Sequence, residues 1–127
     1  MTQSLLGLAL ALVLAACGGS DDICNGDHCV CPANESCAHD CDNGDLDCNI
    51  QCGPGTTCDV GCASGEGCHV DCNQGASCTV DCNGAPDCNV TCPATGCTVS
   101  NCAEGACNVS CGLTGLPTRN GTTATCP

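Results

Sequence analysis

The feature that most constrains this chain is a five-residue pattern, Cys-x-Val-x-Cys, that recurs about every ten residues. A degenerate first copy spans residues 37–41, with His39 in the position of valine. Short links rich in Gly, Asn, Ala and Pro separate the copies. Such a period indicates stacked equivalent units rather than one conventional core. The regular copies begin at Cys48, Cys58, Cys68, Cys78, Cys88 and Cys107.

Each copy predicts a short β-strand whose two cysteines and central valine share one face. Ten residues cannot hold a strand and a crossover helix, but they can form one coil of a narrow β-solenoid with strands about 4.8 Å apart. The sequence contains no Phe, Trp or Tyr, which agrees with an interior of cysteine, valine and small residues. We predict an all-β, disulfide-rich β-solenoid of about eight ten-residue coils. The alternative is an irregular disulfide-rich fold without stacked strands.

One copy of the repeat is displaced by a single residue. Asn101 stands where the second cysteine is expected, and Cys102 follows it. If the strand keeps its frame, Asn101 lies in the cysteine column and Cys102 lies outside it. We therefore predict that Cys102 pairs outside the repeat, with Cys126 in the C-terminal segment.

The number of cysteines favours disulfides. The chain has 21 cysteines, and 20 remain when Cys17 is set aside. Cysteines four apart in a strand have Cα atoms about 13 Å apart, beyond the 4.4–6.8 Å that a bridge needs, so Cys58 should not pair with Cys62. Two arrangements remain open: bridges between equivalent cysteines on stacked coils, and bridges across a folded-back link. The predicted participants are Cys48, Cys52, Cys58, Cys62, Cys68, Cys72, Cys78, Cys82, Cys88, Cys92, Cys97, Cys102, Cys107, Cys111 and Cys126.

Metal binding is the competing interpretation of the composition. A thiolate cluster like that of metallothioneins is disfavoured because the chain has no Cys-x-x-Cys pair and no Lys. Asp71 and Asp81 occupy the same position of adjacent repeats, so we expect them to be stacked neighbours. Two stacked carboxylates repel each other or hold a hard cation such as calcium, and a solvated acidic face is the alternative.

The charge of the chain limits its partners. Fourteen acidic residues against one base, Arg119, give a formal net charge of -13. Such a chain lacks the Lys and Arg that nucleic-acid binding needs, and cations or basic proteins are its electrostatic partners. His28, His39 and His69 are expected in different columns of the repeat. We find no catalytic arrangement of side chains and predict that the protein is not an enzyme.

The N-terminal segment points to secretion. Residues 5–16 are apolar but too few to cross a bilayer core of about 30 Å as a helix, which favours a secretory signal. Leu14-Ala15-Ala16-Cys17 resembles the lipobox of bacterial lipoproteins, although the basic residues usual near the start are absent. The resemblance implies cleavage before Cys17 and lipidation of its sulfur with acyl chains such as palmitate. Because Gly18 is not Asp, it also implies the outer membrane or cell surface of a Gram-negative bacterium.

These inferences divide the chain into five segments. We predict a signal peptide over 1–16, a lipidated tether over 17–23, an N-terminal cap over 24–36, the solenoid over 37–111 and a C-terminal cap over 112–127. The predicted role is structural or binding, at the cell envelope. The architecture is similar to that of the small disulfide-rich β-helices of beetle antifreeze proteins. Their regular Thr-x-Thr array is missing here, which leaves ice binding as a minor alternative.

Overall fold

The computed structural model describes residues 24–25, 28–41 and 47–127, which form twelve β-strands. None of these residues forms a helix with the length and hydropathy needed to cross a bilayer. The strands are β1 (Cys24–Asn25), β2 (His28–Cys31), β3 (Ser36–Asp40), β4 (Asp47–Cys52), β5 (Thr57–Gly61), β6 (Gly67–Asp71), β7 (Ser77–Asp81), β8 (Asp87–Cys92), β9 (Cys97–Ser100), β10 (Cys107–Cys111), β11 (Thr118–Asn120) and β12 (Thr123–Cys126).

Successive strands alternate between two six-stranded sheets. Sheet A has the order β1-β2-β4-β6-β8-β10, and sheet B has the order β11-β12-β9-β7-β5-β3. From β2 to β10 the pairing within each sheet is parallel, because the chain returns to the same sheet in the same direction on every coil. The predicted all-β solenoid is confirmed, and it has about four coils of two strands each.

The prediction of eight ten-residue coils is wrong, because one coil contains two copies of the repeat. Cys48 pairs in register with Cys68, and Cys58 with Cys78, so equivalent residues are twenty apart. The physical reason is the space that the inward side chains need. A one-strand coil would have to pass its short link over its own Cys-Val-Cys face. Two facing sheets are normally separated by about 10 Å, which gives these side chains room to pack.

The valine column forms the centre of the solenoid. Val60, Val80 and Val99 from sheet B are at most 1 % exposed, and Ile50 and Val70 from sheet A are 2 % exposed. Each such side chain contributes roughly 1.5–3 kcal/mol by leaving water. The predicted face of cysteine and valine is therefore the interior face, and the residues between them point to solvent.

Ten disulfides border this column, and nine of them close the short link between consecutive strands. Cys52–Cys58 is an example of this arrangement, which was one of the two left open by the sequence, and Cys58 does not pair with Cys62. Neighbouring bonds stack, since Sγ of Cys72 lies 3.3 Å from Sγ of Cys52. The bonds are Cys24–Cys29, Cys31–Cys37, Cys41–Cys48, Cys52–Cys58, Cys62–Cys68, Cys72–Cys78, Cys82–Cys88, Cys92–Cys97, Cys102–Cys107 and Cys111–Cys126.

In the displaced copy of the repeat, Asn101 lies outside the cysteine column and Cys102 lies inside it, so the prediction is wrong. Asn101 is exposed with a φ of 49°, and its Nδ2 donates a hydrogen bond of 2.8 Å to Oδ1 of Asp81. Cys102 is fully buried and bonds to Cys107, whereas Cys126 bonds to Cys111. The left-handed backbone at Asn101 turns one residue outward, so the next residue enters the cysteine column.

Antiparallel strands close the ends of the solenoid. β1 pairs with β2 on sheet A, and the hairpin of β11 and β12 adds to β9 on sheet B. The guanidinium of Arg119 donates to the carbonyl oxygens of Cys102 (3.3 Å) and Cys107 (2.9 Å). Since β2 already pairs in parallel with β4, the coils begin at His28, inside the segment predicted as a cap.

The links stack as well as the strands. The Thr56 hydroxyl is completely buried and donates a hydrogen bond of 2.7 Å to the carbonyl oxygen of Pro32 in the preceding coil. A Cβ at Gly53 would lie 2.7 Å from the carbonyl oxygen of Cys31, so a larger residue there would push the coils apart. In the described part of the chain, every buried side-chain nitrogen and oxygen has a hydrogen-bond partner.

Candidate functional site

The outer surfaces of the two sheets present the polar residues of the repeat. We call these surfaces face A and face B, after their sheets. On face A the residues that follow the first cysteine of every second repeat stack in one column, because each coil contains two repeats, and His28 of β2 pairs into the same column. This column contains His28, Asn49, His69, Asn89 and Asn108.

Hydrogen bonds run along part of the face A column. Nδ2 of Asn108 donates to Oδ1 of Asn89 over 3.1 Å. Nδ2 of Asn89 donates to Oδ1 of Asp87 over 2.6 Å and lies 3.4 Å from Nδ1 of His69. A shallow groove lies over the column, and Gln51 also lines it. Face A is therefore a row of amide and imidazole groups, a surface suited to polar ligands.

Two histidines share this column, contrary to the expectation that all three fall in different columns. His28 pairs with Asn49, and Asn49 pairs with His69, so the two histidines lie two strands apart, one on each side of Asn49. His39 lies elsewhere, in the valine column of sheet B opposite Val60. The ten-residue frame concealed this relation, which becomes visible when alternate repeats are aligned.

Face B carries hydroxyl and carboxylate groups in its corresponding column. Ser77 Oγ donates a hydrogen bond of 3.3 Å to Oγ1 of Thr57 beside that column. One carboxylate, Asp59, lies beside three consecutive threonines in this column, and the neighbouring outward column holds Gly61, Asp81 and Ser100 instead of threonine, so face B is not the regular Thr-x-Thr array of the antifreeze β-helices. The column contains Ala38, Asp59, Thr79, Thr98 and Thr125.

Asp71 and Asp81 are on opposite faces, so the prediction that they are stacked neighbours is wrong. Asp71 lies in sheet A beside Thr91, and Asp81 lies in sheet B beside Gly61. Each carboxylate accepts a hydrogen bond from the backbone N–H two residues later, over 3.0 Å for Asp71 and 2.8 Å for Asp81. This Asx-turn contact starts the following link, so the two residues have the same local role in successive half-coils.

The first coil has an interior unlike the others. In the later coils, valine or isoleucine from both sheets fills the centre, whereas here Cys29 pairs in register with Ile50 and His39 with Val60. Nε2 of His39 lies 3.5 Å from Sγ of Cys29, and Nδ1 lies 3.7 Å from Sγ of Cys24. An imidazole therefore rests on the disulfide at the N-terminal end of the solenoid. The sequence indicates this difference, because His39 replaces valine in the degenerate first copy of the repeat.

Each of the fifteen cysteines predicted to form disulfides belongs to one of the ten bonds. Cys17, the predicted lipidation site, lies outside the described residues. Comparison of the chain with protein-family models, curated proteins and solved structures found no match.

Proposed function

We propose that this chain is a lipid-anchored protein of the bacterial cell envelope whose solenoid has a structural or binding role and no catalytic activity. The observation that carries the proposal is the stack of disulfides along both edges of the solenoid. Such a framework persists only where thiols are oxidised, as in secreted proteins. The lipobox sequence that ends at Cys17 supports the same compartment and supplies the anchor.

Lipid on Cys17 is sufficient for durable attachment. Each buried methylene contributes about 0.8 kcal/mol, and stable anchoring takes two acyl chains or more, which the lipoprotein modification provides. We propose that residues 17–23, the predicted tether, join the lipid to the solenoid, because their Gly and Ser content is typical of linkers. We place the protein at the outer membrane or cell surface of a Gram-negative bacterium.

The binding role follows from charge. Arg119 is the only Lys or Arg of the sequence, and its single positive charge leaves a formal net charge of -13. Exposed carboxylates on both faces favour cations and basic proteins as partners. Such an interaction weakens as salt is added, because exposed charges are screened over about 8–10 Å at physiological ionic strength.

The anchor is tested by changing Cys17→Ser in the full chain expressed in a Gram-negative host. We expect the variant to lose fatty-acid label and to leave the membrane fraction. Ser20→Ala, three residues further along, is the matched control and should remain lipidated and membrane-bound. Incorporation of labelled fatty acid into Cys17→Ser would contradict the proposal.

Metal binding is the second candidate function, and the interior of the first coil favours it. In the oxidised protein the twenty described cysteines are consumed by disulfides, so they offer no thiolates. A thiolate site therefore requires reduction of at least one bond. His39 lies against the Cys24–Cys29 bond, 3.5 Å from Sγ of Cys29 and 3.7 Å from Sγ of Cys24, and its ring also lies within 4.8 Å of the sulfurs of Cys41–Cys48.

A further inference from the structure

We propose that Cys24, Cys29 and His39 form a redox-gated site for a soft metal ion, closed as a disulfide and opened by an external dithiol. This inference develops the metal-binding candidate and does not depend on the lipid anchor. It rests on three features of the first coil: the exposure of one sulfur partner, the contact with His39, and the convergence of three ligand atoms.

Of the ten described bonds, Cys24–Cys29 is the one with a partner that is only partly buried. Of the twenty cysteines that the structure describes, nineteen are buried, and Cys24 alone is half-buried at the edge of the core. Thiol–disulfide exchange requires a thiolate to reach a sulfur atom directly, so access limits its rate. The remaining bonds lie beneath the stacked strands and links. Reduction under native conditions should therefore begin at this end of the solenoid.

His39 assists the opening of the bond. When an external thiolate attacks Sγ of Cys24, the S–S bond breaks and Cys29 leaves as a thiolate. Nε2 of His39, 3.5 Å from Sγ of Cys29, is placed to donate a hydrogen bond to that thiolate. A stabilised leaving thiolate speeds the exchange. The second thiol of the dithiol then releases Cys24, so two electrons pass to the protein and the dithiol becomes a disulfide.

The open site has the ligands that zinc prefers. The Cys24 and Cys29 sulfurs and a ring nitrogen of His39 all lie within 4.8 Å of one another. Two thiolates and one imidazole suit Zn²⁺, with Zn–S distances near 2.3 Å and Zn–N distances of about 2.0–2.1 Å. Zinc displaces the thiol protons to solvent on binding. A fourth position stays open for water, because the neighbouring Cys41–Cys48 bond is buried and remains oxidised.

The reduction step is tested on the full chain, purified in its oxidised form in detergent. Dithiothreitol is added stepwise without denaturant, free thiols are alkylated, and the modified residues are located by mass spectrometry. We expect the first two thiols to appear at residues 24 and 29. Earlier alkylation at another pair, or opening of all ten bonds together, would overturn the proposal.

The metal step is tested by titrating Zn²⁺ into the partly reduced chain against a chromogenic chelator. We expect one zinc per chain after reduction, with no site of comparable affinity before it. Loss of a group that only orients a metal ligand costs about 10–100-fold in metal affinity, so His39→Ala, which removes a ligand itself, should weaken zinc binding by about tenfold or more. His69→Ala, on face A, is the matched control and should bind normally.

Two results would contradict the metal site. One is the release of both thiols without zinc binding; the other is equal zinc affinity in wild type and His39→Ala. The double variant Cys24→Ala/Cys29→Ala provides a further check, because only the cap strand β1 depends on this bond. It should keep its other disulfides and lose the zinc site. These outcomes are separate from lipidation of Cys17, which the membrane fractionation measures.

Discussion

At the scale of single residues, Asn101 decides how the repeat absorbs a change in length. Its φ of 49° lies in the left-handed region, where asparagine is tolerated better than most residues. Its amide also bonds to Asp81, which anchors the outward residue to the preceding coil. Without that outward turn Cys102 would be unable to reach Cys107. Asn101 therefore keeps the following cysteine in the inward column and allows the Cys102–Cys107 disulfide to form.

We predict that Asn101→Val destabilises the solenoid by about 2–3 kcal/mol, because it loses the hydrogen bond to Asp81 and a β-branched side chain resists this backbone conformation. Asn101→Gly is the matched comparison, since it keeps the conformation and loses only the hydrogen bond, worth about 1 kcal/mol. Denaturant unfolding of both variants measures the difference. Equal stability of the two variants would show that the left-handed backbone is not required.

At the scale of strands and links, the sequence predicted the strands and their stacking into a solenoid, but not that alternate repeats are the ones that pair. Alternation of polar residues with cysteine and valine identified the strands from β4 to β10 and their buried face. The ten-residue period is half a coil, and the inward residues do not reveal this because they are the same in every repeat. The distinction is visible only in the outward residues: Asn49, His69 and Asn89 occur in alternate repeats, with Asp59 and Thr79 between them.

The disulfide pattern was left open by geometry, and packing decides it. Stacked cysteines and cysteines across a link both fall within bonding distance when strands are about 4.8 Å apart. In the two-sheet coil the inward cysteines of one sheet face those of the other, so every bond except Cys24–Cys29 crosses between the sheets. The prediction that Asp71 and Asp81 are stacked fails because neighbouring repeats lie on opposite sheets.

We predict that the contribution of a disulfide to the free energy of unfolding increases with the length of the loop it closes. Cys72 and Cys78 are six residues apart, and Cys111 and Cys126 are fifteen apart. Under chain-entropy reasoning, removing the first pair as a double alanine variant costs about 2 kcal/mol and removing the second costs about 3 kcal/mol. Guanidinium unfolding of the two variants tests the order. A larger loss from the short loop would imply that packing outweighs entropy.

At the scale of the whole molecule, cross-links replace the large core that other proteins use. Each of the ten bridges contributes about 2 kcal/mol, a large fraction of the 5–15 kcal/mol by which ordinary domains are stable. A chain without aromatic residues, with a narrow interior of valine and cystine, depends on them. The same dependence makes an accessible bond at one end a natural point of regulation.

We predict that the oxidised solenoid withstands a broad-specificity protease that degrades the reduced, alkylated chain. Local unfolding exposes backbone to cleavage, and the bridges hold every coil closed against it. Gel analysis over time, with and without prior reduction, measures the difference. Digestion of both forms at the same rate would argue against a structural role for the bridges.

The most direct test of this structure is a map of the disulfides in the native protein by non-reducing digestion and mass spectrometry. The two-sheet coil predicts nine bonds between cysteines five to seven residues apart, such as Cys52–Cys58, together with Cys111–Cys126. Bonds between cysteines about twenty residues apart, such as Cys48 with Cys68, would contradict it.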